Sequence, residues 1–339
     1  MRAVSALFLM CGLLSSFACH APGPQSASIT RQATREPAWQ DALEAPPKLV
    51  VMLRPKALRA DAVYGPMVRK ALGLALQQRV TSRALVLEAI EDADEVIASL
   101  SDWTPSEPAE ASGSDDLVLI LRGTRADIDP AKLVGPQGEL LWSAGPTGPV
   151  RELVHERDRD GSSNPASLFE LPDRTWVVAS GAARDRARDA FAHPTHRSPP
   201  SFAPEALASV RIDGPSLVSR VSVLQPSSSL AHLGHGLRSV TLDLLAPGAP
   251  AAGASGGPSV PRREVRAVVS YAEQRAAAMA ATTIAFMLQA VGRTKPEGLA
   301  WLGDSRVDAT GTDVIVTDTV PVDLLASVLR AGRSPPPSP

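Results

Sequence analysis

Ser239-Val240-Thr241-Leu242-Asp243-Leu244-Leu245 and Glu264-Val265-Arg266-Ala267-Val268-Val269-Ser270-Tyr271 both alternate apolar with polar residues. Successive side chains in a strand point to opposite faces, so each stretch reads as a half-buried strand. Val240, Leu242 and Leu244 supply the inner face, and Thr241 and Asp243 the outer one. Residues 246–261 between them are rich in Gly, Ala and Pro and read as a long loop. The two strands therefore form an antiparallel hairpin. A helix follows over 273–291, where Ala277, Ala280, Ile284, Leu288 and Val291 recur at helical spacing. Residues 276–292 carry no charge, which raises the question of a membrane span. The stretch falls short of the usual ~20 residues, is rich in Ala and Thr, and leaves directly from a strand. Small residues let a helix lie close on a sheet, which is the simpler reading. Sheet strands with helices on one face make an α+β architecture.

Outward from this core, short apolar runs predict strands over 48–53, 95–100, 116–122, 151–154, 167–171, 174–178, 208–212 and 313–317. Leu171-Pro172-Asp173-Arg174 supplies a turn between two of them. Pro66 suits the first position of a helix whose face holds Met67, Ala71, Leu74 and Ala75. Further helices are predicted over 82–93, 128–134, 182–192 and 322–330. Residues 193–205 hold four prolines in thirteen positions and read as a linker. The expected organisation is a first domain over 48–192 and a second over 206–331. Each is a largely antiparallel sheet with helices on one face. Residues 332–339 form a disordered tail.

The start of the chain has a different character. Arg2 precedes an apolar stretch, Ala3 to Phe17, that ends in Ser16-Phe17-Ala18-Cys19. A basic start, an apolar core and small residues before a cut site describe a secretory signal peptide over 1–18. The segment resembles a bacterial lipobox, with Ser16 standing where that pattern prefers leucine. The resemblance implies lipidation of Cys19. Secretion of a soluble protein cut after Ala18 is the alternative. Residues 19–47 are small, polar and proline-rich, and read as a flexible tether in which Trp39 and Leu43 dock locally.

Composition narrows the function classes. The net charge is −2 and aromatic residues are 4% of the chain, so neither a basic face nor base-stacking partners point to nucleic acid. Of the two cysteines, Cys11 falls in the signal peptide and Cys19 is left alone, which excludes an internal disulfide.

The candidate chemistry is scattered. His193/His196 and His232/His235 have i, i+3 spacing that can share a metal, yet neither pair sits on a convincing helix or is followed by a glutamate base. Solvated loop histidines are the plainer reading. Asp158 to Asn164 contains part of a calcium-loop pattern, but the twelfth position is Phe169 instead of glutamate. Gly253-Ala254-Ser255-Gly256-Gly257 lacks the Lys-Ser/Thr of a phosphate loop and reads as a flexible connection. Ser180 precedes a helix and is expected to cap it. Asp304, Asp308, Asp313, Asp318 and Asp323 fall at strand ends and turns. Arg184, Asp185, Arg186, Arg188 and Asp189 read as a solvated helix face. No catalytic, metal or cofactor site is assigned.

Leu58 to Arg69, Asp94 to Ala98, Leu117 to Gly123 and Leu171 to Gly181 together resemble exported proteins of unknown function from high-GC Gram-negative bacteria. That resemblance implies an envelope lipoprotein. It would face the periplasm from the cell membrane or outer membrane, held by a lipid on Cys19. It would bind an envelope protein or ligand without catalysis. A periplasmic hydrolase with dispersed carboxylates or a Ser/His site is the alternative, and a lipoprotein binding metal through its His pairs is a third.

Overall fold

The computed structural model describes residues 36–44, 47–61, 65, 90, 92–100, 116–123, 142–155, 165–195, 197–224, 231–246, 262–294 and 300–321. In chain order the elements are β1 (Leu49–Leu53), α1 (Pro55–Ala60), β2 (Glu95–Leu100), β3 (Leu117–Arg122), β4 (Ser143–Ala144), β5 (Arg151–His155), β6 (Ala166–Glu170), β7 (Trp176–Ser180), α2 (Ala183–Ala192), β8 (Ala206–Asp213), α3 (Gly214–Leu224), α4 (Ala231–Gly234), β9 (Leu237–Leu245), β10 (Arg262–Tyr271), α5 (Gln274–Thr294), β11 (Arg306–Thr310) and β12 (Asp313–Pro321). Short 3-10 turns form at Trp39–Ala42 and Ala300–Asp304. The architecture is α+β, with strands outnumbering helices among the described residues. The predicted helices over 66–75, 128–134 and 322–330, most of the one over 82–93, the loop over 246–261 beyond Ala246, and residues 332–339 lie outside the described residues. The chain divides inside β1 into two compact units. In described residues, one comprises 36–50 with 90–201, and the other 51–65 with 202–321.

In the 36–50/90–201 unit the strand order is β2-β3-β7-β6-β5-β4, and every neighbouring pair is antiparallel. The register aligns Ile97, Ile120, Val177 and Phe169 in one row. The next row, on the opposite face, is Val96, Leu121, Trp176 and Glu170. Apolar residues of both rows are buried, which is why β3 and β7 read as continuous apolar runs instead of alternating ones. Helix α2 lays Ala183, Ala187 and Phe191 against the first face at i, i+4, i+8 spacing. The Phe191 and Phe169 rings meet edge-to-face, with centroids 5.2 Å apart. Trp142 stacks obliquely on His155 at 5.5 Å. The turn Leu171–Arg174 forms as expected: the Leu171 amide donates to the Thr175 carbonyl at 2.9 Å, and Arg174 takes φ 61°.

The stretch read as a tether contributes to this unit. Trp39, Ala42 and Leu43 are buried, and the Arg122 guanidinium lies 5.4 Å above the Trp39 ring. Asp41 is buried because both carboxylate oxygens accept backbone amides, from Ala38 at 3.1 Å and Thr195 at 3.2 Å.

In the 51–65/202–321 unit the order is β8-β9-β10-β12-β11, again antiparallel throughout. The predicted hairpin is present, with Leu242 opposite Ala267 and Val240 opposite Val269. Helix α3 contacts β8 and β9, whereas α5 contacts β10, β11 and β12. Gly214 opens α3 so close to β9 that a Cβ there would collide with the Leu237 carbonyl. Helix α5 has the length and composition to cross a membrane, but here Ala277, Ala280 and Leu288 are buried within the unit. Ile284 and Val291, expected on the same face, are half-buried.

Asp243 corrects the reading of β9. Alternation placed it outward, but it is only 2% exposed, and Ser239 on the same face is also buried. The cause lies on the neighbouring strands. Asp243 sits opposite Ser209 on β8 and Arg266 on β10, and both bond to it. A polar face is covered here because its charges satisfy one another.

Tyr271 closes β10 and yields a measurable effect. It is 1% exposed and its hydroxyl donates to the Leu233 carbonyl at 3.1 Å. Burial pushes its pKa up to about 12. A raised folded-state pKa for an acid means that the neutral form is stabilised by folding. That contribution is complete below the unfolded value of about 10 and fades as pH rises toward 12. Tyr271→Phe is expected to cost about 1 kcal/mol at neutral pH through the orphaned carbonyl. It should also remove part of the alkaline loss, which the urea midpoint measured against pH reads directly. Parallel wild-type and variant curves above pH ~10 would refute it.

Candidate functional site

Two polar clusters and one groove concentrate the chemistry. In the first unit, Glu152 on β5 points toward the face that α2 covers, and its side chain is 3% exposed. Arg188 on α2 clamps it with two bonds, Nε to Oε2 at 2.9 Å and Nη2 to Oε1 at 2.7 Å. The same guanidinium reaches Asp185 at 2.6 Å. Arg184 donates to Ser167 Oγ at 3.2 Å on the adjacent strand. Burial pushes the Glu152 carboxyl up, but the hydrogen bonds from Arg188 and Ser167, with the charges of Arg188 and Arg184, outweigh it. The net effect holds Glu152 below the usual carboxylate range. Hydrogen bonding to Glu152 in turn raises Arg188 further. A permanently charged carboxylate held in a guanidinium fork is a poor general base.

The second cluster spans three strands of the other unit. Ser209 Oγ donates to Asp243 at 2.7 Å, and Arg266 donates to Asp243 at 3.0 Å and to Glu205 at 2.9 Å. Burial works to lower the Arg266 pKa, yet the bonds and charges of Asp243 and Glu205 leave it raised. Ser209 bonded directly to a clamped carboxylate differs from a nucleophilic serine, which bonds a base that can take its proton. Nearby, Arg263 pairs with Asp61 at 2.6 Å, tying the end of α1 to β10.

The groove runs along residues 142–153 of the first unit and encloses about 610 Å³. Trp142, Val150 and Leu153 are large apolar residues of its lining, and residues Ser143 to Gly148 complete one stretch of it. Its ionisable members are Arg151, paired with Glu170 at 3.0 Å, and Glu152, already engaged by Arg188. Among the described residues it brings together no nucleophile and base.

The residues singled out in the sequence are dispersed. Cys19, His196, Asp323, Asp158 to Asn164 and Gly253 to Gly257 lie outside the described residues. His193 is exposed and leans on Asp189 at 3.2 Å, one helical turn back. His232 lies in α4, and His235 is exposed beyond it. Among the described residues no three His, Cys, Asp or Glu side chains come together as a metal would need. Asp308 pairs with Arg306 at 2.6 Å, Asp318 accepts from Ser305, and Asp304 is exposed.

Two expectations are corrected. Ser180 does not cap α2: it ends β7, Gly181 turns at φ 61°, and Ala182 is the N-cap residue. The Ala182 amide is satisfied from a distance, by Asp116 Oδ1 at 2.8 Å. The charged run on α2 is not simply solvated either. Arg184, Arg186 and Arg188 reach Ser167, Asp116 and Glu152, while Asp185, Arg186 and Asp189 keep an open aspect. One signal could have revealed this. Ala183, Ala187 and Phe191 mark the buried line of α2, so Arg184 and Arg188 stand one residue beside it, at the rim of the sheet.

Comparison of the chain with family models, with curated proteins and with solved structures finds no match.

Proposed function

We propose that this is an exported envelope lipoprotein, anchored to the cell membrane or outer membrane by a lipid on Cys19, that works by binding and not by catalysis. The observation that carries the anchor is the basic start and apolar run, Arg2 to Phe17, ending in Ser16-Phe17-Ala18-Cys19. The non-catalytic part is supported by Glu152 and Asp243, the two most enclosed carboxylates of the polar clusters, both engaged by guanidiniums. The groove along 142–153 is the place for an envelope ligand or protein segment. The two units are proposed as two domains, each an antiparallel sheet with helices on one face. The division of the chain into two compact units supports this.

Detergent-phase partitioning and the N-terminal mass of the wild type, set beside Cys19→Ser, test the anchor. A lipid mass increment and membrane association that vanish in the variant are the expected result. An unmodified Cys19 on a soluble wild type would sink the anchor. Turnover of an envelope substrate, abolished by one polar substitution, would sink the non-catalytic part.

A further inference from the structure

Helix α5 carries an outward line that the fold leaves unused. Steps of four and three place Arg275, Met279, Thr282, Phe286, Gln289 and Arg293 along one side of it. All six are exposed. Among the described residues, Met279 and Phe286 are the large hydrophobic side chains that stand open, at 59% and 73%. The buried members, Ala277, Ala280 and Leu288, lie elsewhere on the helix, so the ridge is a surface in its own right.

Its charge selects what covers it. The helix contains no Asp or Glu, and its two arginines stand at the two ends of the apolar line. Eighteen residues of helix separate them, about 27 Å. Glu273 lies just before the helix, outside the line from Arg275 to Arg293. A second copy on the same ridge would set arginine against arginine: Arg275 beside Arg293 if antiparallel, or each beside its own counterpart if parallel. As the exposed side of a single helix, the ridge is convex. A fluid anionic surface suits all three properties. It closes around a convex helix, accepts Phe286 and Met279 at the acyl boundary, and meets both guanidiniums with headgroup phosphates.

The geometry points to α5 as an interfacial helix that lies on an anionic lipid surface through Arg275, Met279, Phe286 and Arg293. This deepens the anchored reading and rests on it, since a lipid on Cys19 would keep the protein beside its bilayer. The affinity of the ridge is nevertheless measurable without the anchor. An environment-sensitive fluorophore is placed at Phe286→Cys in the full chain carrying Cys11→Ser and Cys19→Ser. The same label at Ala192→Cys, exposed on the other unit, is the reference. If Phe286→Cys does not fold, Met279→Cys replaces it.

Vesicles of mixed phosphatidylglycerol and phosphatidylcholine should shift the 286 emission to the blue and leave 192 unchanged. Replacing Arg275 and Arg293 together by alanine should weaken partitioning on the order of 30-fold. Four results overturn the proposal. They are no shift at 286, an equal shift with phosphatidylcholine alone, an equal shift at 192, and a shift without vesicles that grows with protein concentration. The last would assign the ridge to a second copy. The N-terminal mass separates the two readings. A 286 shift with an unlipidated wild type keeps the helix and rejects the anchor, and lipidation without the shift does the reverse.

Discussion

Phe169→Ala is expected to cost the 36–50/90–201 unit about 3–5 kcal/mol. The ring is 1% exposed, lies in the row with Val177 and Ile120, and receives the edge of Phe191 at 5.2 Å. Truncation removes a large apolar area and leaves a cavity between the sheet and α2. A strand held on both sides cannot collapse to fill it. Phe191→Ala should cost a similar amount, because that ring anchors the end of α2. The double variant should lose about 0.5–1.5 kcal/mol less than the two singles combined, the share that belongs to the ring pair. Urea denaturation of the four proteins measures the cycle. Strict additivity would mean that each ring merely fills space and that the edge-to-face contact contributes nothing.

Arg188→Ala is expected to cost about 3 kcal/mol, more than removal of a surface pair would suggest. The guanidinium is partly open, but Glu152 beneath it is 3% exposed and would be left charged without its fork. The damage arises from the abandoned carboxylate. Replacing both residues, with Glu152→Met and Arg188→Leu, should therefore recover most of the loss. The pH dependence has a definite sign. Glu152 is held below its ordinary value, so its contribution is present above about pH 4 and is lost as pH falls through the folded-state value. Glu152→Gln should flatten that acid limb. A single Arg188→Ala variant as stable as wild type would show that water reaches Glu152 freely.

The strands of the core were readable because their patterns were strong. Residues 117–122 are a nearly pure apolar run, and the β9–β10 sequence alternates, although on β9 Asp243 and Ser239 are buried and Val240, Leu242 and Leu244 only half-buried. β11 was missed because Arg306-Val307-Asp308-Ala309-Thr310 is almost wholly exposed, so no buried face imposes a pattern on it. β4 has two residues and α1 six, too short for any period to show. α3 opens Gly214-Pro215, which reads as a break before it reads as a helix start. The polar clusters were illegible for a different reason. Asp243, Ser209 and Arg266 come from three strands, and only the register makes them neighbours. The outward ridge of α5 was hidden by the buried one. Ala277, Ala280 and Leu288 accounted for the helix, and the four-three line through Met279 and Phe286 passed as part of the same apolar composition.

The exposed character of β11 bears on how this protein behaves when crowded. Among the described residues it ends the strand order of its unit, so one row of its amides and carbonyls has no strand beside it there. Arg306 and Asp308 stand on that border as a bonded pair at 2.6 Å, and Gly311 turns the chain sharply back into β12. Charges on a short border strand hinder another molecule from adding its own strand there. The β11 charges thus oppose fibre formation, and neutralising Arg306 and Asp308 is expected to promote aggregation without loosening the core.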